Sequence, residues 1–227
     1  MILFLTSNIG GIKKENGIKY STKFFENNLF LDNLKKHIKK YNKFVMVASS
    51  PDDYDKNDIY FNLDIESLRL SGLEFKENIV LDNRNKDNVE EVLNNSDLII
   101  LCGGNTLMQN NFFNNIDLKK YIKDLDSVVV GISAGSINAA DNVYNSPESK
   151  EDLKNPAYLN GLGLTTINIE PHFVLNNQMD ENKLIQREAI IKESYNRELI
   201  ALTDGAYILQ NNGDCKVYGE CYTIKNG

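Results

Sequence analysis

The most informative segment of this chain reads Val128-Val129-Val130-Gly131-Ile132-Ser133-Ala134-Gly135. An apolar run with the character of a strand leads into a G-x-S-x-G pattern, so we expect a strand to turn sharply into a helix at Ser133. A serine in such a nucleophile elbow exposes its hydroxyl at the tip of the turn, and the flanking glycines leave room for close approach of the backbone and a substrate. The segment therefore predicts a serine hydrolase.

Apolar runs and amphipathic stretches alternate along the rest of the chain, as expected of a parallel sheet covered by helices. We predict an α/β fold with a doubly wound, mostly parallel sheet, helices on both faces and closing antiparallel strands. The predicted strands cover residues 2–6, 44–48, 78–81, 98–102, 128–132, 165–169 and 199–202, and the closing ribbon covers 206–209, 216–218 and 222–224. The predicted helices cover residues 24–41, 59–70, 89–93, 107–125, 134–142 and 183–195.

Length and composition limit the other possibilities. The 227 residues can bury one sizeable core and contain no repeat or Pro/Gly/Ser-rich linker, so we expect residues 1–227 to form a single α/β domain. The net charge of -7 argues against nucleic acid as a partner. No metal-ligand spacing, export signal or membrane span is visible, so we expect a cytoplasmic protein with no metal, no cofactor and no membrane partner; the cysteines are Cys102, Cys215 and Cys221.

A serine nucleophile needs a base, and the chain has two histidines. His37 lies on a lysine-rich stretch with helical spacing, which is typical of a solvated surface. His172 follows Pro171 at the end of an alternating strand, and loops at strand ends commonly carry catalytic side chains. His172 is therefore the candidate base, although a structural hydrogen bond to a nearby carbonyl would be an ordinary role for it.

A second glycine-containing turn is predicted where residues 98–102 end. Gly103 and Gly104 follow this buried strand and precede a helix. Because ligands bind outside the carboxyl ends of parallel strands, this turn and the elbow are expected to lie close together. The Gly104 and Ala134 amides would then form an oxyanion hole; the alternative is a tight turn capped by Asn105 or Thr106.

The motifs together resemble the dipeptidase E and cyanophycinase family of serine peptidases. Gly103-Gly104-Asn105-Thr106, Gly131-Ile132-Ser133-Ala134-Gly135-Ser136 and Pro171-His172-Phe173 occur in that order, and the similarity spans residues 1 to about 205. The resemblance implies a doubly wound fold like that of class I glutamine amidotransferases and of flavodoxin. It also implies a Ser-His-acid triad that cleaves small peptides at aspartyl residues, with Ser133 as nucleophile and His172 as base.

The same resemblance places the third member of the triad on Glu148. Other acids remain alternatives for this role: Asp141, Glu151, Asp152, Glu170 and Asp204. Asn105 and Tyr144 are the expected substrate-binding residues. Tyr144 stands where the aspartyl dipeptidases have an arginine, and residues 133–172 contain no arginine, although an aspartyl side chain would need a cationic partner.

Three other interpretations are compatible with these residues. G-x-S-x-G also marks α/β-hydrolase esterases. These usually have the catalytic histidine far downstream of the serine, whereas His172 follows Ser133 by 39 residues. Cys102 could act as a thiol nucleophile, yet its place in a buried strand favours an inert thiol. The domain could also be a non-catalytic module that binds a small ligand. The number of subunits stays open, a homodimer included.

Overall fold

The structure of this chain is a computed structural model that describes residues 1–175 and 180–227. Its strands are β1 (Ile2–Thr6), β2 (Gly10–Glu15), β3 (Ile18–Phe24), β4 (Lys43–Val47), β5 (Glu77–Leu81), β6 (Leu98–Leu101), β7 (Val128–Ile132), β8 (Asn142–Tyr144), β9 (Tyr158–Asn160), β10 (Asn168–Glu170), β11 (Leu199–Leu202), β12 (Tyr207–Asn211), β13 (Asp214–Tyr218) and β14 (Cys221–Ile224). Its helices are α1 (Phe30–His37), α2 (Tyr54–Leu70), α3 (Val89–Leu93), α4 (Thr106–Asn115), α5 (Leu118–Ile122), α6 (Ala134–Ile137) and α7 (Glu181–Glu193).

The main sheet has the strand order β13-β12-β1-β7-β6-β4-β5. Strands β1, β7, β6, β4 and β5 are parallel, and β12 and β13 continue the sheet as antiparallel neighbours. The predicted α/β fold with a mostly parallel sheet and closing antiparallel strands is confirmed. Because the parallel strands point the same way, the residues that follow β1, β7, β6 and β4 all lie at one edge.

Both faces of this sheet are buried under helices. Leu3 and Leu5 pack in one core with the apolar residues of α3, α4, α5 and α6, whereas Phe4 packs on the opposite face with those of α1 and α2. This alternation follows from the two-residue period of a strand, which points successive side chains to opposite faces. Each fully buried leucine or phenylalanine contributes about 1.5–3 kcal/mol to the free energy of unfolding.

A hairpin near the amino terminus was not predicted. β2 and β3 pair as antiparallel strands. Most of their residues had no predicted element, and the helix that was predicted to begin at Phe24 begins at Phe30. Asn16 and Gly17 form its turn with φ of 50° and 81°, and Asn-Gly is a strong hairpin signal. The hairpin was missed because its charged strands lack a clear apolar alternation. Ser67 of α2 anchors it by donating to the Gly11 carbonyl at 2.5 Å.

A smaller sheet contains two of the strands predicted late in the chain. β10 and β11 pair in parallel, and β14 adds to β11 as an antiparallel neighbour, so this sheet is separate from the main one. β10 begins at Asn168 rather than at the predicted residue 165. The predicted helix 107–125 is divided into α4 and α5 by Asp117, which has a φ of 50°, and α6 is only four residues long.

No helix in residues 1–175 or 180–227 combines the length and the apolar character that crossing a membrane requires.

Candidate active site

Ser133 stands in a strained turn between β7 and α6. Its backbone has φ 50° and ψ -111°, a combination that is unfavourable for a residue with a Cβ. The Ser133 amide donates to the Thr6 carbonyl at 3.0 Å, which ties the turn to the end of β1. The residue is half-buried. Strain of this kind persists where the surrounding structure imposes it, and here it lifts a serine side chain to the carboxyl edge of the main sheet.

The two glycines of the elbow are required by close backbone contacts. A Cβ on Gly131 would lie 2.7 Å from both the backbone nitrogen and the Cα of Ser136. A Cβ on Gly135 would lie 2.1 Å from the Leu101 carbonyl oxygen, on the neighbouring strand β6. Any side chain at either position would push the elbow away from the sheet, so these glycines set the position of Ser133.

We expect Gly135→Ala to lower the free energy of unfolding by about 3 kcal/mol, the upper end of the range for overpacking, because the obstructing atom belongs to the backbone. Gly17→Ala is the matched control, since its φ is 81° but no atom lies within 4 Å of its added Cβ. The control should lose about 1 kcal/mol, through backbone strain alone. Urea unfolding of both variants measures these losses, and a Gly135→Ala variant as stable as the parent protein would show that the contact with Leu101 is not tight.

The turn after β6 lies beside the elbow. A Cβ on Gly103 would be 3.5 Å from the Ser133 Cβ, so the two turns are in contact. Gly104 has a φ of 153°, and its added Cβ would lie 2.3 Å from Ser49 Oγ, which follows β4. Asn105 caps α4, because its Oδ1 accepts from the Met108 amide at 2.8 Å. The two turns therefore lie side by side as expected, and Asn105 is the N-cap residue of α4.

The junction of the two turns places the Gly104 amide at the cavity, and the Ala134 amide follows directly after Ser133. Within the described residues, neither the Gly104 nor the Ala134 amide donates to a protein acceptor. Ala134 begins α6 directly after Ser133, and Gly104 lies on the adjoining turn. Unused amides next to a nucleophile are the arrangement that an oxyanion hole requires.

His172 is paired with a carboxylate that comes from a neighbouring strand. The His172 Nδ1 and Asp204 Oδ1 atoms are 2.7 Å apart. His172 follows β10 and Asp204 follows β11, and these parallel strands end at the same edge of the smaller sheet. Burial raises the pKa of Asp204, but hydrogen bonds from Ser7 and His172 lower it more, and the resulting pKa is below the usual range. Asp204 is therefore ionised at neutral pH and can orient the imidazole.

Ser7 joins this pair to the main sheet. Its hydroxyl donates to Asp204 Oδ1 at 2.8 Å and accepts from the His172 amide at 2.7 Å. The Ser7 side chain is fully buried and lies directly after β1, next to the strand that carries Ser133. The backbone of His172 has a φ of 57°, so Ser7 holds a strained residue in place. Sequence reasoning missed Ser7, although a polar residue directly after a predicted strand was a usable signal.

Ser133 and His172 line the same cavity, which has a volume of about 490 Å³. The Gly103-Gly104 turn, the residues after β1 and β4, and one face of α2 form its other walls. Ser133 and His172 are not hydrogen-bonded to each other, and the Nε2 of His172 has no partner in the described part of the chain. With Nδ1 directed to Asp204, Nε2 is the nitrogen left to accept a proton, and such hydrogen bonds often form only when substrate is bound.

Glu148 and Tyr144 do not join this group. Asp204 takes the place at the imidazole that was expected of Glu148, which is exposed and whose charge acts instead on buried Glu170. Tyr144 is buried against Ile190 and Leu199 and does not line the cavity, so its packing removes it from substrate binding. Tyr144 ends β8 and its amide donates to Asn168 Oδ1 on β10 at 2.8 Å, and Ser146 donates to Glu170 at 2.7 Å, so the segment that carries Tyr144 and Glu148 packs beside the smaller sheet.

The other acidic alternatives have different surroundings. Asp141 pairs with Lys119 at 2.7 Å, and Asp152 accepts from Ser149 at 2.8 Å. Glu170 is buried, and its carboxylate accepts hydrogen bonds from Ser146 and Gln186. Glu151 lies in an exposed single turn. Among these candidates, Asp204 is the one with a hydrogen bond to His172 in the described structure.

Cys102 lines the cavity, but its pKa argues against a role as nucleophile, and His37 has the environment of a structural residue. Burial is the main cause that raises the pKa of the Cys102 thiol far above its usual range, which disfavours the thiolate that a nucleophile needs. His37 ends α1 and packs edge-on against the Phe4 ring with the centroids 6.3 Å apart, so it is less solvated than predicted. Burial lowers the pKa of His37, and Lys36 adds to this effect.

Comparisons with known proteins identify the family and the fold. Residues 9–218 match the family model described as "Peptidase family S51". The crystal structure of a peptidase from an acI-B1 Actinobacterium is similar with a TM-score of 0.68 and 16% identity, over 99% of this chain and 91% of that one. A "Putative Peptidase E Protein" from Listeria monocytogenes EGD-e is similar with a TM-score of 0.63 and 17% identity, over 95% of this chain and 96% of that one. At such identities the two structures show the shared fold. A search of curated proteins gave no match.

Proposed function

Because the chain belongs to peptidase family S51 and is therefore a serine-type hydrolase, we propose that it cleaves small peptides as a dipeptidase E does, through an acyl-enzyme on Ser133. One observation carries the proposal: Ser133, on a strained elbow, shares a cavity with His172, and the Nδ1 atom of His172 is hydrogen-bonded to the ionised carboxylate of Asp204. A serine, a base and an acid that orients the base are the parts of a hydrolytic triad.

The proposed reaction begins with attack of Ser133 Oγ on the scissile carbonyl carbon while His172 Nε2 takes the hydroxyl proton. The carbonyl π electrons move to its oxygen, and the Gly104 and Ala134 amides donate to that oxyanion. Asp204 accepts from the Nδ1–H of His172 and stabilises the imidazolium. His172 then gives the proton to the leaving amine as the C–N bond breaks, which leaves the acyl-enzyme.

Water completes the cycle by the same steps. His172 takes a proton from the water as its oxygen attacks the acyl carbon, and the proton passes to Ser133 Oγ when the ester bond breaks. Ser7 does not touch the reacting atoms in this scheme. It is a positioning residue, because it holds both the backbone of His172 and the carboxylate of Asp204.

Cleavage after an aspartyl residue is the substrate preference that the family resemblance implies. Among the described residues that line the cavity, Lys56 is the one lysine or arginine. An aspartyl side chain in this cavity would pair with Lys56, since a buried carboxylate requires a cation or several donors.

A three-substrate assay tests the proposed function. We expect the purified protein to hydrolyse both Asp-Leu and Ala-Leu, with release of leucine, because the cavity opens directly on Ser133. A short ester is the third substrate, and Lys56→Gln reports whether any preference for Asp-Leu depends on Lys56. Hydrolysis of the ester alone would favour the esterase alternative, and no hydrolysis of any substrate would favour a non-catalytic member of the fold that binds small ligands.

A further inference from the structure

Asp64 is a carboxyl group on the wall of the cavity that the proposed reaction does not use. It lies on α2 together with Asn57 and Tyr60, and the spacing of three and four residues places all three on one face of the helix. That face forms one side of the cavity. Asp64 is nine-tenths buried, with a relative exposure of 9%.

No described residue satisfies this carboxyl group. Neither a hydrogen bond nor an ion pair to Asp64 is formed within residues 1–175 and 180–227. The Asn57 amide donates instead to the Ser50 carbonyl at 3.0 Å and to Asp82 at 3.1 Å. The Lys56 ammonium donates to Ser50 Oγ at 3.3 Å, and Lys56 lies two helical turns from Asp64, about 12 Å along the axis.

The position of Asp64 makes an unpaired charge costly. Burial raises the pKa of Asp64 to about 7. The pKa of the Cys102 thiol is raised first by burial and second by the charge of Asp64. Asp64 therefore lies near Cys102 and the Gly103-Gly104 turn that follows it. A buried carboxylate is stable when it is paired, and the open side of Asp64 is the cavity itself. The partner that the site lacks is therefore a donor, ideally a cation, brought by the ligand.

We propose that Asp64 binds a cationic group of the peptide substrate, either a free α-ammonium or a basic side chain next to the scissile bond. This inference rests on the proposed function, since it takes the ligand of the cavity to be a peptide. A cation there would form a charge-assisted hydrogen bond with the Asp64 carboxylate and would favour its ionised form. An acidic group, or a neutral group without a hydrogen-bond donor, would leave the carboxylate unsatisfied at the same point.

Equilibrium binding to Ser133→Ala tests the proposal, because this variant cannot consume a ligand by the proposed reaction. Two matched pairs differ by one positive charge: Ala-Leu against N-acetyl-Ala-Leu, and N-acetyl-Lys-Leu against N-acetyl-norleucyl-Leu. We expect the charged member of at least one pair to bind about 10- to 100-fold more tightly. Adding Asp64→Asn should remove most of that difference in Kd and leave the Kd of the neutral member within a few-fold. If Asp64→Asn removes the difference in Kd within the first pair, the group bound by Asp64 is the α-ammonium. If it removes the difference within the second pair, the group is the basic side chain.

Asp58→Asn is the matched control, because it removes a carboxylate from the same helix that pairs with Arg84 at 2.6 Å and does not line the cavity. It should leave both Kd ratios unchanged. Asp64→Ser, a smaller neutral variant, is measured in parallel in case Asp64→Asn does not fold. Equal affinities within both pairs before Asp64 is changed, or ratios that survive both Asp64 substitutions, would overturn the proposal. Hydrolysis of Ala-Leu by the parent protein reports on the peptidase function independently of these Kd values.

Discussion

Replacing Ser133 by alanine is expected to lower kcat for peptide hydrolysis by about 10⁴- to 10⁶-fold, the range seen when the nucleophile of a serine hydrolase is removed. The physical reason is that the Ser133 hydroxyl is the one oxygen on the elbow that can form the acyl-enzyme. KM should change little, since the walls of the cavity remain. Initial rates with Ala-Leu measure the loss, and a fluorophosphonate probe should label the parent protein on Ser133 and leave Ser133→Ala unlabelled.

Two further variants separate lost chemistry from lost folding. Ser133→Gly should be as inactive as Ser133→Ala but more stable to urea, because glycine adopts the φ of 50° at this position without strain. Cys102→Ala should keep the fluorophosphonate label on Ser133, since the raised pKa of Cys102 leaves its thiol protonated. If labelling is lost in Cys102→Ala and retained in Ser133→Ala, the thiol is the nucleophile and the serine mechanism is wrong.

Asp204→Asn is expected to lower kcat by about 10⁴-fold, the loss found when the acid of a serine triad becomes an amide. An asparagine at this position can donate to Nδ1 of His172, which would place the imidazole proton on Nε2 and remove the acceptor that Ser133 needs. The hydrogen bonds from Ser7 to Asp204 and from the His172 amide to Ser7 hold the geometry, so the variant should fold normally. Initial rates with Ala-Leu and the melting temperature measure the two effects.

Glu148→Gln is the matched substitution at the acid that the family resemblance first indicated. Glu148 is exposed and its charge raises the pKa of Glu170, whereas the carboxylate hydrogen-bonded to His172 belongs to Asp204, so kcat should stay within about threefold of the parent value. A large loss in Glu148→Gln together with a small loss in Asp204→Asn would reverse the assignment of the acid. Equal large losses would show that both carboxylates are needed to hold His172.

Features that depend on neighbours in the chain could be predicted from the sequence. The strand before Ser133, the turn at Ser133 and the helix after it form one continuous segment, and its glycines mark where the backbone must pass close to other atoms. The alternation of apolar runs and amphipathic stretches predicted the sheet and its helices for the same reason. The strand ends that carry Gly104 and His172 followed from this pattern, and both residues lie at the cavity.

Features that depend on which strands become neighbours required the folded chain. Asp204 meets His172 across 32 residues, and Ser7 meets Asp204 across 197, because β10 pairs with β11 beside the end of β1. Asp64 has an ordinary place in a polar helix and becomes a buried, unpaired carboxyl only when α2 packs against the hairpin and the cavity. Local patterns thus located the proposed nucleophile and base, whereas the positions of the proposed acid, of Ser7 and of the cavity wall depend on long-range packing, which residue spacing does not reveal.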